Sequence, residues 1–170
     1  VLSAQTTDAK VLAVLPALWS RYPSARALAA ARLGTLERIL RPLGLFRSKA
    51  RNLVAFARMT GGRVPASMEE LVRLPGVGRK TANLVLGEAF GRFEGIAIDT
   101  HCRRLARRLG LSSSPDVRVI ERDLMCQLPR RDWGAANHLL IAHGRAVCRA
   151  RRPLCTRCLL LALCPSAGRT

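Results

Sequence analysis

The run Leu74-Pro75-Gly76-Val77-Gly78-Arg79-Lys80 constrains this chain more than any other stretch. Pro75 and Gly76 stop whatever helix precedes them, and Gly76 and Gly78 accept backbone angles that other residues resist. Upstream, Ser67 and Glu70 form a capping box that opens a short helix ending at Arg73. Downstream, helical spacing runs over 79–90 until Gly91 ends it. Two helices joined by a tight glycine turn is the arrangement this spacing dictates.

The same punctuation recurs along the chain. Thr7 or Thr6 caps a segment reaching about Trp19, with Val11, Leu12, Val14, Leu15 and Leu18 on its apolar stripe. Ser24 and Thr35 are positioned to cap short helices over 25–31 and 36–43. A longer helix opens near Arg47 or Ser48 and stops at Gly61-Gly62. Asp99 caps a helix ending at Gly110, and Ser114-Pro115 starts another that Pro129 stops. A last helix covers about 131–147. Ile96-Ala97-Ile98 is too brief for a sheet strand, so the fold class is all-α. The glycines at 91 and 95 mark a seam that divides the chain into two helical lobes, 1–92 and 93–170. The first carries the glycine hairpin (67–90) and the second all six cysteines.

Formal net charge is +18, and of 29 basic side chains only three are lysines. This imbalance favours a polyanion, and nucleic acid fits better than lipid because the basic residues do not gather on one strongly amphipathic helix. There is no signal peptide and no membrane-length apolar run, so a cytoplasmic protein is expected. With a nucleic-acid partner it is expected to be DNA-associated, and to be a monomer.

A phosphate fits the hairpin. Gly76 and Gly78 put no Cβ in the way of backbone N–H groups, the next helix adds its N-terminal dipole, and Arg79 adds a charge-assisted contact. Lys80 follows in the first helical turn. Arginine cannot lose its proton, whereas lysine can, and only a neutral amine attacks carbon. The helix end and Arg79 disfavour the charged form of Lys80, making it the candidate nucleophile. Lys10 and Lys49 follow no such turn and read as helix-surface charge. Asp99, nineteen residues after Lys80, is a preferred helix cap whose fixed carboxylate can also steer a lysine or stabilise a cation.

Cys102 and Cys126 read as small buried hydrophobes. Cys148, Cys155, Cys158 and Cys164 follow the pattern C-x6-C-x2-C-x5-C in a short tail. Structural zinc usually takes two close pairs, and only one is present, so a four-iron four-sulfur (4Fe-4S) cluster is favoured over zinc. Arg149, Arg151 and Arg152 lie between the first two of these cysteines, and no carboxylate side chain follows Asp132. A group that folds this loop would build a basic DNA-contact surface.

LPGVGRKTANLVLGEAFG, then IAIDTH, then the cysteine quartet, in that order, resemble endonuclease III, a family of bifunctional DNA glycosylases in the helix-hairpin-helix superfamily. The resemblance covers essentially the whole chain from Ser3-Ala4-Gln5 onward. It implies a DNA-binding groove between the two lobes, a 4Fe-4S cluster held over 148–164, and removal of oxidised pyrimidines from duplex DNA. Strand cleavage by β-elimination through a lysine Schiff base would follow. Lys80 falls on the family's Schiff-base lysine and Asp99 on its catalytic aspartate. Gln5 falls on a residue that fills the gap left by the extruded base. Leu45 falls on the wedge that enters the base stack, with ordinary core packing as its other reading. Three departures stand out: the chain begins inside the family's second helix, the helix before Gly61 is a turn shorter, and the 91–99 link has one extra residue. An adenine-mismatch glycosylase and a non-catalytic DNA-binding module are the alternatives. Lys80 disfavours the first, which shares the aspartate but typically lacks the hairpin lysine, and Lys80 together with Asp99 disfavours the second.

Overall fold

The computed structural model describes residues 1–169. Its α-helices are α1 (Asp8–Arg21), α2 (Ala25–Ala29), α3 (Leu33–Leu40), α4 (Phe46–Thr60), α5 (Met68–Val72), α6 (Arg79–Phe90), α7 (Thr100–Arg108), α8 (Val117–Gln127) and α9 (Trp133–Ala146). No strand occurs among the described residues, so the chain is all-α. Contacts divide it into two compact units, Val1–Ala82 and Asn83–Thr170. The division falls inside α6, and Asn83, the first residue of the second unit, is buried and donates to Glu121 at 2.8 Å.

In the first unit, α2 and α3 pack on α4, and α1 packs on α3. Val14, Leu18, Leu36, Leu40, Leu43, Ala50 and Val54 form the core. Leu12, expected on the apolar stripe of α1, is instead 64% exposed, since Val11, Val14, Leu15 and Leu18 complete a narrower stripe without it. α3 starts before the expected Thr35 cap: the N–H groups of Thr35 and Leu36 both close on the Arg32 carbonyl, leaving Thr35 inside the first turn. Pro42 then tightens the chain into a 3-10 turn, Arg41–Leu43. α4 opens earlier than Ser48, at Phe46, with Leu45 as its N-cap residue in a left-handed conformation.

In the second unit, α7 packs on α8 and α9 around Ile96, Ile98, Cys102, Ala106, Ile120 and Leu124. α8 starts two residues beyond Pro115, because Asp116 accepts from the Arg118 N–H and takes over the capping role. Arg130–Asp132 forms a 3-10 turn, so α9 begins at Trp133. Cys102 is fully buried, as expected, but Cys126 lies on the solvent face of α8. After α9 the tail is two 3-10 turns, Cys155–Arg157 and Leu161–Leu163, and no side chain of 145–169 is fully buried. No helix is long and apolar enough to cross a membrane among the described residues.

Candidate functional site

The glycine hairpin joins α5 to α6. Ser67 caps α5 by accepting from the Glu70 N–H, and its hydroxyl donates to the Glu70 carboxylate. Leu71, Leu74 and Val77 are buried and seat the turn. Gly76 has φ +74°, a conformation that favours glycine, and a Cβ there would lie 2.7 Å from the Asn52 side-chain nitrogen, which would have to swing aside. Gly78 has open space around it, which leaves the backbone approachable from outside. Arg79 and Lys80 are exposed in the first turn of α6, where helix N–H groups lack intrahelical partners. This surface can accept a phosphate and present a primary amine beside it.

Asp99 caps α7. Its Oδ1 accepts from the Cys102 N–H at 2.7 Å, which fixes the carboxylate while leaving the residue half-exposed. The approach to it, residues 95–98, is wholly buried without any strand to pair its backbone. Asn137 of α9, itself buried, supplies what a strand would: its Nδ2 donates to the Ala97 carbonyl and lies 3.4 Å from Cys102 Sγ. Burial pushes the Cys102 thiol up to about 11, so behind the carboxylate sits a neutral sulfur. Sequence reasoning passed over Asn137. Its signal was an amide on the otherwise apolar face of α9, between Trp133 and Ile141.

Among the described residues, the non-glycine positions with positive φ are Gln5 (+52°) and Leu45 (+46°), the two that the sequence marks as intruders into a base stack. Leu45 is 55% exposed, which removes core packing as its role. Its turn is held from beneath. Lys49, expected at the surface, is only 3% exposed and its Nζ donates to the Leu43 carbonyl at 2.9 Å, while its N–H bonds to the Leu45 carbonyl at 2.9 Å. Lys49 lies on the apolar stripe of α4 with Phe46, Leu53 and Val54, and burial lowers its pKa from 10.5.

Cys148, Cys155, Cys158 and Cys164 line one cavity of about 320 Å³, open mouth included, walled by Leu109, Val147 and Leu154. The 3-10 turn at Cys155–Arg157 repeats every three residues, which places Cys155 and Cys158 on one side. All four are unpaired as disulfides. The Arg108 guanidinium lies 3.5 Å from Cys148 Sγ, and His143 Nε2 lies 3.7 Å from Cys158 Sγ. Among the described residues no three His, Cys, Asp or Glu side chains close tightly enough to hold a single ion. Arg149, Arg151 and Arg152 are exposed in the loop leading from Cys148.

Residues 1–130 match the family described as HhH-GPD superfamily base excision DNA repair protein. The chain is 50% identical to endonuclease III of Synechocystis sp., covering 98% of this chain and 78% of that protein. It is 44% identical to endonuclease III of Bacillus subtilis, covering 96% and 76%. Its fold superimposes with a TM-score of 0.91 on a trapped endonuclease III–DNA covalent intermediate, at 41% identity over 99% of this chain and 81% of that one. A thermostable thymine-DNA glycosylase shares the fold at TM-score 0.86 and 22% identity. With the glycine hairpin, the capped aspartate and the cysteine-lined cavity in place, these likenesses assign the chain to the HhH-GPD superfamily of base excision DNA repair proteins.

Proposed function

We propose that the protein binds duplex DNA, removes oxidised pyrimidines from it and then cleaves the strand by β-elimination. The observation that carries this reading is Lys80, an exposed primary amine in the first turn behind the glycine hairpin. It belongs to a chain 41% identical to a protein trapped covalently on DNA. A damaged base stacks and pairs poorly, so extruding it costs less than extruding a normal one. Gly76, Gly78 and Arg79 bind the phosphate beside it; Leu45 enters the stack and Gln5 fills the gap. The Lys80 amine attacks the anomeric carbon as the base departs. Asp99, held by its cap to Cys102, stabilises the cationic transition state and takes the proton that Lys80 loses. The sugar ring then opens, the C1′–O4′ bond breaking as O4′ takes a proton, and the resulting Schiff base acidifies the C2′–H, whose loss expels the 3′ phosphate.

The four tail cysteines suit a 4Fe-4S cluster better than zinc, because they surround a cavity and offer one close pair rather than two. Bound there, the cluster would supply four metal–thiolate links that organise a tail without a core of its own.

Borohydride tests the proposal. It should trap the wild-type protein on DNA carrying an abasic site, by reducing the Schiff base to a stable amine. Lys80→Arg keeps the charge and removes the nucleophile, so it should bind the same DNA without being trapped. Undiminished trapping of the arginine variant would move the nucleophile elsewhere; absence of trapping in the wild type would overturn the lyase reading.

A further inference from the structure

Arg103, Arg104, Arg107 and Arg108 stand as two i,i+4 pairs on the face of α7 opposite its buried residues Cys102, Leu105 and Ala106. With Thr100 and Ser166 they line one open hollow on the second unit. None of the four forms an ion pair among the described residues. Like charges one helical turn apart repel, which costs about 0.2–0.5 kcal/mol per pair. The helix dipole offsets this for the last turn, which holds Arg107 and Arg108, but not for Arg103 and Arg104.

The two pairs differ in what they do. Arg104 and Arg108 are half-buried and committed to the tail: Arg104 donates to the carbonyls of Gly144 and Cys148 at 3.0 Å, and Arg108 to those of Arg149 at 2.8 Å and Ala150 at 3.0 Å. These bonds fasten the start of the arginine loop to α7, so row and loop form one basic surface. Arg103 and Arg107 are exposed and reach into the same hollow with no such commitment.

We infer that Arg103 and Arg107 bind two phosphates of the damaged strand, two steps apart, close to the reacting sugar. This rests on the proposed function, because it takes Asp99 as the carboxylate at that sugar. Asp99 is the N-cap of α7, so Arg103 and Arg107 lie about 6 and 12 Å from it along the axis, at 1.5 Å per residue. The 6 Å between them is close to the rise of two base pairs, about 6.8 Å on one strand. Guanidinium forks suit phosphate oxygens, and the hydroxyls of Thr100 and Ser166 offer neutral hydrogen bonds in the same hollow.

The experiment uses the whole chain with Arg103→Gln and Arg107→Gln combined, leaving Arg104 and Arg108 to hold the tail. Binding to a duplex with a non-reactive abasic analogue is measured across salt concentrations. The slope of log affinity against log salt should fall by about two, one for each phosphate released. The measurement is repeated with single uncharged methylphosphonates placed within a few nucleotides of the lesion. Two of the positions that weaken the wild type should no longer weaken the double variant, while the one met by the hairpin still does. An unchanged slope overturns the inference and leaves the row to some other acidic partner. A reduced slope with every methylphosphonate still effective also overturns it, since that marks diffuse attraction rather than contact. Borohydride trapping at saturating protein should persist in the double variant. Failure of the wild type to trap would instead strike the proposed function.

Discussion

Replacing Lys49 by methionine preserves length and apolar volume on the buried stripe of α4 while removing the donor beneath the Leu45 turn. Lys49 is 3% exposed and its Nζ lies 2.9 Å from the Leu43 carbonyl. Losing a buried partner leaves that carbonyl unsatisfied, at a cost of about 1–3 kcal/mol. For a protein of this size roughly 2 kcal/mol lowers the melting temperature by about 4–8 °C. The pH dependence provides an internal check. Burial lowers the folded-state pKa of Lys49 below 10.5, so between that value and 10.5 the folded protein holds fewer protons than the unfolded one. Its contribution to stability therefore rises with pH in that window, and methionine does not share the gain. The gap between wild type and variant should widen as pH rises towards 10.5. Cys102, raised from 9.0 to about 11, works in the opposite direction but is common to both proteins and cancels in the difference. Thermal melts between pH 7 and 10.5 measure the gap, and single-turnover assays add a functional reading. Excision of a damaged base, which on the proposed mechanism draws on the Leu45 turn, should slow more than cleavage of a preformed abasic site, which needs no base extruded. A gap that stays flat or narrows with pH, or equal slowing of both reactions, would refute the account of Lys49 as the support of this turn.

Asp99→Asn should leave the melting temperature nearly unchanged, because asparagine accepts from the Cys102 N–H as aspartate does, yet most base excision should be lost; full activity at equal stability would leave only the capping role. Arg149→Ala combined with Arg151→Ala should weaken binding to damaged and undamaged duplex alike and reduce the salt slope by about two, with single-turnover excision at saturating protein little changed. Cys155→Ser should yield colourless protein with a loosened tail, where the wild type should be yellow-brown and contain iron; elemental analysis finding stoichiometric zinc without iron would sink the cluster assignment.

Much of this architecture was legible because glycine, proline and capping residues act locally. α6 spans the residues that its bounding glycines mark, Ser24, Ser67 and Asp99 cap as their side chains allow, and the C-x2-C spacing places two cysteines on one turn. The misreadings have tertiary causes. Lys49 and Asn137 are polar groups on apolar helical stripes, and both are buried because a distant carbonyl needs a donor: Leu43 for one, Ala97 for the other. Nothing within a few residues of either reveals that need. Cys126 shares a residue type with Cys102 but not its helical face, and the helix start at Leu33 follows from a backbone closure on Arg32 that no side chain signals.

The two left-handed residues, Gln5 and Leu45, bear on how far this protein could be stabilised. A side chain held in that region costs about 1–3 kcal/mol, and glycine would lower the cost at either position even after its greater freedom in the unfolded chain. A lineage selected for persistence alone would drift towards glycine at both places. On the proposed mechanism, keeping glutamine and leucine there holds part of the folding free energy in reserve at the surface that meets the substrate. The most durable version of this fold and its most active version are therefore different sequences.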